Sequence, residues 1–384
     1  MRGLDPRIQA VPPERLLGFL DLWRRGTAVV LAAFVVVFLA AASAVAASPR
    51  SVPVYVEIKD WLAACDNTRY CDARGFSDEH PGLSMVIRRQ AGPEGGLEVA
   101  MASESRLDPA TLMLDGAPMD MKVNWRDRRD DRTVTILATD HTAAAFLKAI
   151  RNGTILSFGP VKDATTPVLS LRGLAAVMLL MDDVQGRIGG QTALTRSGPA
   201  TVDQVPPEPA APIVAMAGPM APPLSSQATR ALIDGVRASR QGVMAATECQ
   251  PEEDVRTPHE HDQAMLLSPH EALVLLECFR GPYQSASLAF RVPPGRPDQA
   301  ERVTLDLPLE EAPIDTFFRA GYDPATHIFT MKANGRGIGD CGMSASWFFD
   351  GKAFQLAAYA KQGRCGGIVS WPVLWRSGIR EARP

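Results

Sequence analysis

Beyond residue 80 the chain runs through short stretches in which apolar and polar positions alternate. "LSMVIRR" (83–89), "GLEVAMA" (96–102), "RTVTILAT" (132–139), "GTILSF" (153–158) and "TPVLSL" (166–171) carry a period of two and predict strands. "LMLDGAPMD" places Asp115-Gly116 between two such stretches, a hairpin-turn signal. The period changes in "DHTAAAFLKAIRNG", where Ala144, Phe146, Leu147 and Ile150 share one helical face. Asp140 is its expected N-cap and Gly153 marks its C-terminal end. "SLRGLAAVMLLMDDVQGR" predicts a second helix, capped at Ser170 and ending before Gly186. After residue 223 the order is helix first, "SSQATRALIDGVRAS", then strands: "ALVLLECF" (272–279), "SASLAFRV" (285–292), "HIFTMKA" (327–333), "SASWFFDGKAFQLAAYA" (344–360) and "WPVLWR" (371–376). Within the fourth, Asp350-Gly351 separates Trp347 and Phe349 from Phe354 and Leu356, so that a hairpin would gather all four on one buried face.

These patterns predict an α+β protein of two β-rich domains, each with a few packed helices. Residues 199–223 hold eight prolines in 25 positions with almost no charge, a composition that continues neither a helix nor a central strand. That segment is the expected Pro-rich linker between domains at 49–198 and 224–384, each of a size that one core can serve.

Residues 1–48 set the compartment. Arg24 and Arg25 precede an uncharged run from Gly26 to Ser48 with a dense apolar centre. A positive flank, an apolar core and the small-x-small end Ala44-Val45-Ala46 describe a signal peptide cleaved near Ala46. The run also has the roughly 20 residues that span a bilayer, so residues 27–47 as a retained inner-membrane anchor is the other reading. Both export the rest of the chain, to the periplasm or beyond, with membrane contact only through this N-terminal segment. All six cysteines lie after it and their number is even, which predicts disulfides. Six cysteines allow 15 pairings; proximity favours Cys65–Cys71, Cys249–Cys278 and Cys341–Cys365. None of these gaps is a zinc spacing. The net charge is −3, and removing the basic first 46 residues leaves the remainder near −5, which argues against nucleic acid as a partner.

The order of features over residues 57–182 resembles the bacterial invasion-associated locus B family: Trp61 before Cys65-Asp66, a second cysteine soon after, "LSMVIRR", "LMLDGAPMD", "AAAFLKAIRNGTILSF" and "LSLRGLAAVMLLMDD". That resemblance implies an envelope protein and carries no catalytic residues. The later cysteines it would place near residues 123–142 are missing here. Over nearly all of residues 57–376 the chain resembles a proteobacterial secreted family, the domain of unknown function numbered eleven seventy-six. "DWLAACDNTRYC", "SLRGLAAVMLLMDDVQGR", "CFRGPYQ", "GRGIGDCG", "WFFDGKAF" and "WPVLWR" carry it.

Candidate chemistry is sparse. In "WLAACDNTRYC" the expectation is a buried Trp61 beside a short Cys65–Cys71 bridge that pins the polar loop Asp66–Tyr70, since a redox pair would need C-x-x-C at a helix start. "GRGIGDCG" contains a literal G-x-G-x-x-G, but the residues after it read as a strand and not the helix a phosphate cradle requires. It is the expected tight loop, with Arg336 and Asp340 as ligand-pocket candidates. "EEDVRTPHEHD" (252–262) offers His259, His261 and Asp262 as candidate metal ligands, with no H-E-x-x-H. Asp182-Asp183 reads as a solvent-facing helix end. No nucleophile elbow and no phosphate-binding lysine loop occurs. The expected function is a non-enzymatic exported envelope protein with a structural or protein-binding role and no cofactor, its partner an envelope protein or surface component. The alternatives are an exported metal-dependent hydrolase and a small-molecule-binding module.

Overall fold

Strands β1 (Val54–Ile58), β2 (Trp61–Cys65), β3 (Cys71–Gly75), β4 (Leu83–Arg89) and β5 (Leu97–Ser103) form an antiparallel meander, extended by Val134–Thr139 and Arg126–Arg129 into a seven-stranded sheet. This is a computed structural model, and it describes residues 50–77, 82–129, 134–163, 165–215, 222–247, 249 and 261–380. The alternation in β4 and β5 buries Met85, Ile87, Val99 and Met101 on one face. The helices Asp140–Ile150 and Leu174–Val184 cover that face and close the first core. A small second sheet (Val168–Ser170, Ile155–Phe158, Leu112–Leu114, Ala117–Pro118) contains the expected hairpin, with Asp115 at φ 51° and Gly116 at φ 81° in its turn. Two consecutive left-handed residues match the twist of the flanking strands.

The two helix starts differ from expectation. Asp140 is the first helical residue and Thr139 the N-cap. The second helix begins at Leu174 after Gly173, whose φ of 107° turns the chain without any side-chain cap. Ser170 instead ends a strand, and its hydroxyl donates to Asp60.

In the second half, strands Gln263–Ser268, Glu271–Arg280, Ser285–Val292 and Glu301–Arg302 make one sheet. Gly321–Asp323, Ile328–Asn334, Gly342–Phe349, Phe354–Gln362 and Val373–Arg376 make another. Leu273, Leu275 and Ala289 face the second sheet's Phe329, Met331 and Trp347, while Val274, Leu276 and Phe290 face the Ser226–Ser239 helix. The Glu271–Arg280 strand is thus covered on both sides, which is why its sequence is continuously apolar and not alternating. The hairpin around Asp350-Gly351 buries Trp347 and Phe349 and packs Phe354 and Leu356 against the same core.

Residues 49–384 form one compact unit. The described part of the Pro-rich segment includes the strand Ile213–Ala215, which pairs in parallel with Gly378–Arg380. Among the described residues no helix is long and apolar enough to cross a membrane. The expected signal or anchor lies outside the described residues, as do residues 250–260 with His259.

Candidate functional site

The Gly-rich stretch joins two strands in register, Asn334 opposite Gly342, so residues 335–341 bulge out as a closed loop. Strand precedes it and strand follows it, and there is no helix start on which a phosphate could sit. Its closure is local: Gly335 N donates to Cys341 O (2.8 Å) and Gly339 N to Arg336 O (3.0 Å). Gly342 has φ 136°, and a Cβ there would lie 2.0 Å from Ala333 O, so only glycine fits. The loop packs on a second one, residues 363–371, through the Cys341–Cys365 disulfide and a hydrogen bond from Trp371 Nε1 to Gly339 O (3.1 Å).

Asp340 is the hub of this pair of loops. It is fully buried, and its carboxylate accepts two bonds from Arg336 (2.7 and 2.5 Å) and one from Gly367 N (2.7 Å). The Arg336 bonds outweigh burial and hold its pKa down at about 2. Arg336 and Asp340, the two residues singled out as pocket candidates, therefore satisfy each other. The loops present two aliphatic side chains outward, Ile338 (67% exposed) and Val369 (65%), together with the exposed side chains of Arg336 and Ser370. Near them lie half-exposed Tyr283, whose ring borders Gly337, and the Trp371 ring under Lys332 Nζ (4.7 Å).

The loop pair sits on a seam between the two halves of the chain. β2 and β3 are buried on both faces: Trp61, Ala63, Cys71 and Ala73 point into the first core, and Leu62, Ala64, Asp72 and Arg74 point the other way. Arg74, 1% exposed, is bidentate to Asp72 (2.7 and 2.9 Å) and donates to Gln362 Oε1 (2.8 Å) and to Ser370 O. Gln362 in turn donates to Asp340 O and Ile368 O. A second link joins Asp66 to Arg376 (2.5 Å), with the Arg376 guanidinium over Tyr70, and Asn67 exchanges two bonds with the Arg376 backbone. The Cys65–Cys71 bridge closes the Asp66–Tyr70 loop, whose Asp66 Oδ1 accepts from Thr68 N, Thr68 Oγ1 and Tyr70 N. Trp61 is fully buried and donates to Ser170 O.

The sequence marked the tight loop and named Arg336 and Asp340 only as pocket candidates, giving neither their pairing nor this seam. The available signal was Asp72 and Arg74 two residues apart in an otherwise small, apolar stretch, the spacing of a same-face pair on a strand. Gln362, Arg376 and the tips Ile338 and Val369 carried no signal of their own. Asp182 is the plainest correction: it is fully buried, accepting from Leu194 N, Thr195 N and the Thr195 hydroxyl, because the chain folds back over the helix end. Asp183 is the partner that faces outward, paired with Arg50.

Of the metal candidates, Asp262 accepts at both carboxylate oxygens from Arg237 Nη2 (2.8 and 2.7 Å) and from Glu277 N (2.7 Å), which ties the Ser226–Ser239 helix to the sheet. His261 stands next to it in sequence. Asp340, Cys341 and Cys365 also bring ligand atoms within 4.8 Å of one another, but both sulfurs are joined in a disulfide and neither is a thiolate. A cavity of about 460 Å³ lies elsewhere, between the Glu301–Asp306 edge and the hairpin, with Trp347 and Phe354 in its lining.

The family described as "Protein of unknown function (DUF1176)" matches residues 55–378, a span that includes both halves, the seam and the loop pair. The chain belongs to this family. It is 32% identical over 343 residues to "Uncharacterized protein YpfG" of Escherichia coli (strain K12), covering 85% of this chain and 93% of that one. Both matches run across the proline-rich segment, so the two halves recur together in this family. No solved structure matches. The resemblance of residues 57–182 to the invasion-associated locus B family is not shown by these comparisons.

Proposed function

We propose that this family member is an exported, non-enzymatic protein of the cell envelope that binds another envelope protein through the loop pair 335–342 and 363–371. One observation carries the reading: a disulfide and a saturated, buried Asp340 tie two loops together, and each loop exposes an aliphatic side chain, Ile338 and Val369, beside Arg336, whose exposed side chain is already paired with Asp340. The charged groups beside the tips are engaged in holding shape. Aliphatic tips on tethered loops, with aromatic neighbours, lose little conformational freedom on docking, the economy that binding surfaces exploit. Export, by a cleaved signal or a retained anchor, is supported by the N-terminal run and by three disulfides.

The test is chemical crosslinking in native cells of the tagged full chain, its Ile338→Glu/Val369→Glu double variant and a Val161→Glu control, whose position is 59% exposed on the first half. The reading expects a discrete adduct with wild type and control, reduced at least about tenfold in the double variant, a loss of roughly 1.4 kcal/mol or more. An adduct indifferent to both tips, or none, contradicts it.

A further inference from the structure

None of the residues lining the cavity of about 460 Å³ belongs to the loop pair. The cavity opens where one sheet of the second half ends, at the strand Glu301–Arg302, against the start of the Phe354–Gln362 strand in the other. Val303 N donates to Ala289 O (2.8 Å) and Leu305 N to Ile314 O (2.8 Å), so the backbone groups of Glu301, Val303 and Leu305 turn into the sheet. By the alternation of an antiparallel ladder, those of Arg302, Thr304 and Asp306 turn to the open side. The N–H groups of Thr304 and Asp306 have no acceptor among the described residues. An edge in this state is a template for another strand.

A free edge alone is common, and the wall beside this one sets it apart. Val303, Leu305, Phe354 and Leu356 give the cavity an apolar lining. Trp347, only 1% exposed, is part of that wall, and its indole N–H has no acceptor among the described residues. Four charged residues complete the lining: Arg291, Arg302, Glu301 and Asp306. Both cations are engaged outside the cavity, Arg291 with Glu271 through two bonds (2.8 and 2.6 Å) and Arg302 with Asp315 (3.0 Å). Glu301 and Asp306 have no ion-pair partner among the described residues, so the charge left over is negative.

We propose that the Glu301–Asp306 edge binds an extended peptide segment carrying a lysine or arginine, which adds to the sheet as a strand and lodges its basic side chain in the cavity. The chemistry of the lining selects this occupant. An anion meets two carboxylates with no free cation to offset them. A purely apolar ligand leaves the Trp347 N–H unpaired and covers both carboxylates without neutralising them. A peptide supplies carbonyls for the unpaired N–H groups, and a lysine or arginine lays its methylene stem on Phe354 and Leu356 while its charge meets Glu301 and Asp306. The volume is in the range of sites that hold ligands of this size. This site is separate from the loop pair and does not depend on it.

The experiment titrates the full chain, in mild nonionic detergent, into fluorescently labelled, capped heptapeptides of alternating threonine and valine whose central residue is lysine, arginine, glutamate or leucine. The lysine and arginine peptides should bind saturably, at least about tenfold more tightly than the other two. Thr304→Pro, which removes one N–H from the open edge, and Glu301→Gln/Asp306→Asn should each weaken the lysine peptide by about tenfold or more. Should Thr304→Pro fail to fold, two further lysine peptides decide the matter on the wild-type chain. Methylating the amides of alternate residues should abolish binding in one register and spare it in the other, since an added strand turns only every second N–H to the edge. No binding, equal binding whatever the central residue, affinity retained in a folded Thr304→Pro, or the same effect of both methylation patterns overturns the proposal.

Discussion

Asp340 keeps a full negative charge in a place closed to solvent, and acid should reveal what that charge does. Its folded pKa of about 2 lies below the ordinary unfolded value of about 3.9, so its stabilising contribution is complete above about pH 4 and is lost as pH falls through about 2. Asp340→Asn should therefore lower stability at pH 7 and flatten the acid limb of the stability profile between about pH 4 and 2, as followed by urea titration at each pH. A variant whose acid limb matches wild type would show that the carboxylate does not hold the loop. Gly342 is the other decisive residue of this loop. With φ at 136° and a backbone oxygen 2.0 Å from where a Cβ would stand, Gly342→Ala forces the strand apart and should cost about 1–3 kcal/mol in equilibrium denaturation. The tight glycine loop and buried Trp61 were legible in the sequence because each depends on local spacing; the mutual pairing of Arg336 and Asp340 was not. Nor was the burial of Asp182, which depends on Leu194 and Thr195, 12 and 13 residues later, folding back over it, and nothing in "LLMDD" reports that.

Strands and hairpins were read well wherever one face is buried and the other wet, as in β4, β5 and the Gly342–Phe349 hairpin. "CDARG" escaped notice for the opposite reason: β3 is covered on both faces, its outward pair neutralised across the seam, so it lacks both an apolar run and a solvent face. At this scale the Cys341–Cys365 bridge matters most. It spans the whole Gly342–Phe349 and Phe354–Gln362 hairpin and fixes the two loops at its open end. The chain-entropy account gives a loop of this length roughly 3.5 kcal/mol, against roughly 2.4 for the few residues closed by Cys65–Cys71. Cys341→Ala/Cys365→Ala should thus destabilise the chain by more than Cys65→Ala/Cys71→Ala, by about 1 kcal/mol. Peptide mapping without reduction should recover a Cys341 to Cys365 linked peptide; either cysteine as a free thiol in the native protein would contradict the assignment.

Over the whole molecule, α+β character and β-richness follow from composition and period, whereas the contact between halves does not, since residues 66, 74, 362 and 376 meet only after both sheets exist. The seam predicts that the two halves unfold as one. Removing Arg74 leaves Asp72 buried with Arg88 at 3.5 Å as its remaining cation, a change of the kind that costs about 3–5 kcal/mol. Arg74→Met, which keeps the stem, should lower the melting midpoint and split a single calorimetric transition into two; one unsplit transition at the wild-type midpoint would show the seam to be incidental. The seam also presents the loop pair from a fixed platform, and that presentation is the centre of the functional account. The direct measurement is to place a photoreactive benzoylphenylalanine at position 338 of the full chain in native cells, with position 161 as the matched exposed control, and irradiate. The account predicts a discrete protein adduct at 338 that is absent at 161 and lost when Val369→Glu is added; no adduct at 338, or the same adducts at both positions, would contradict it.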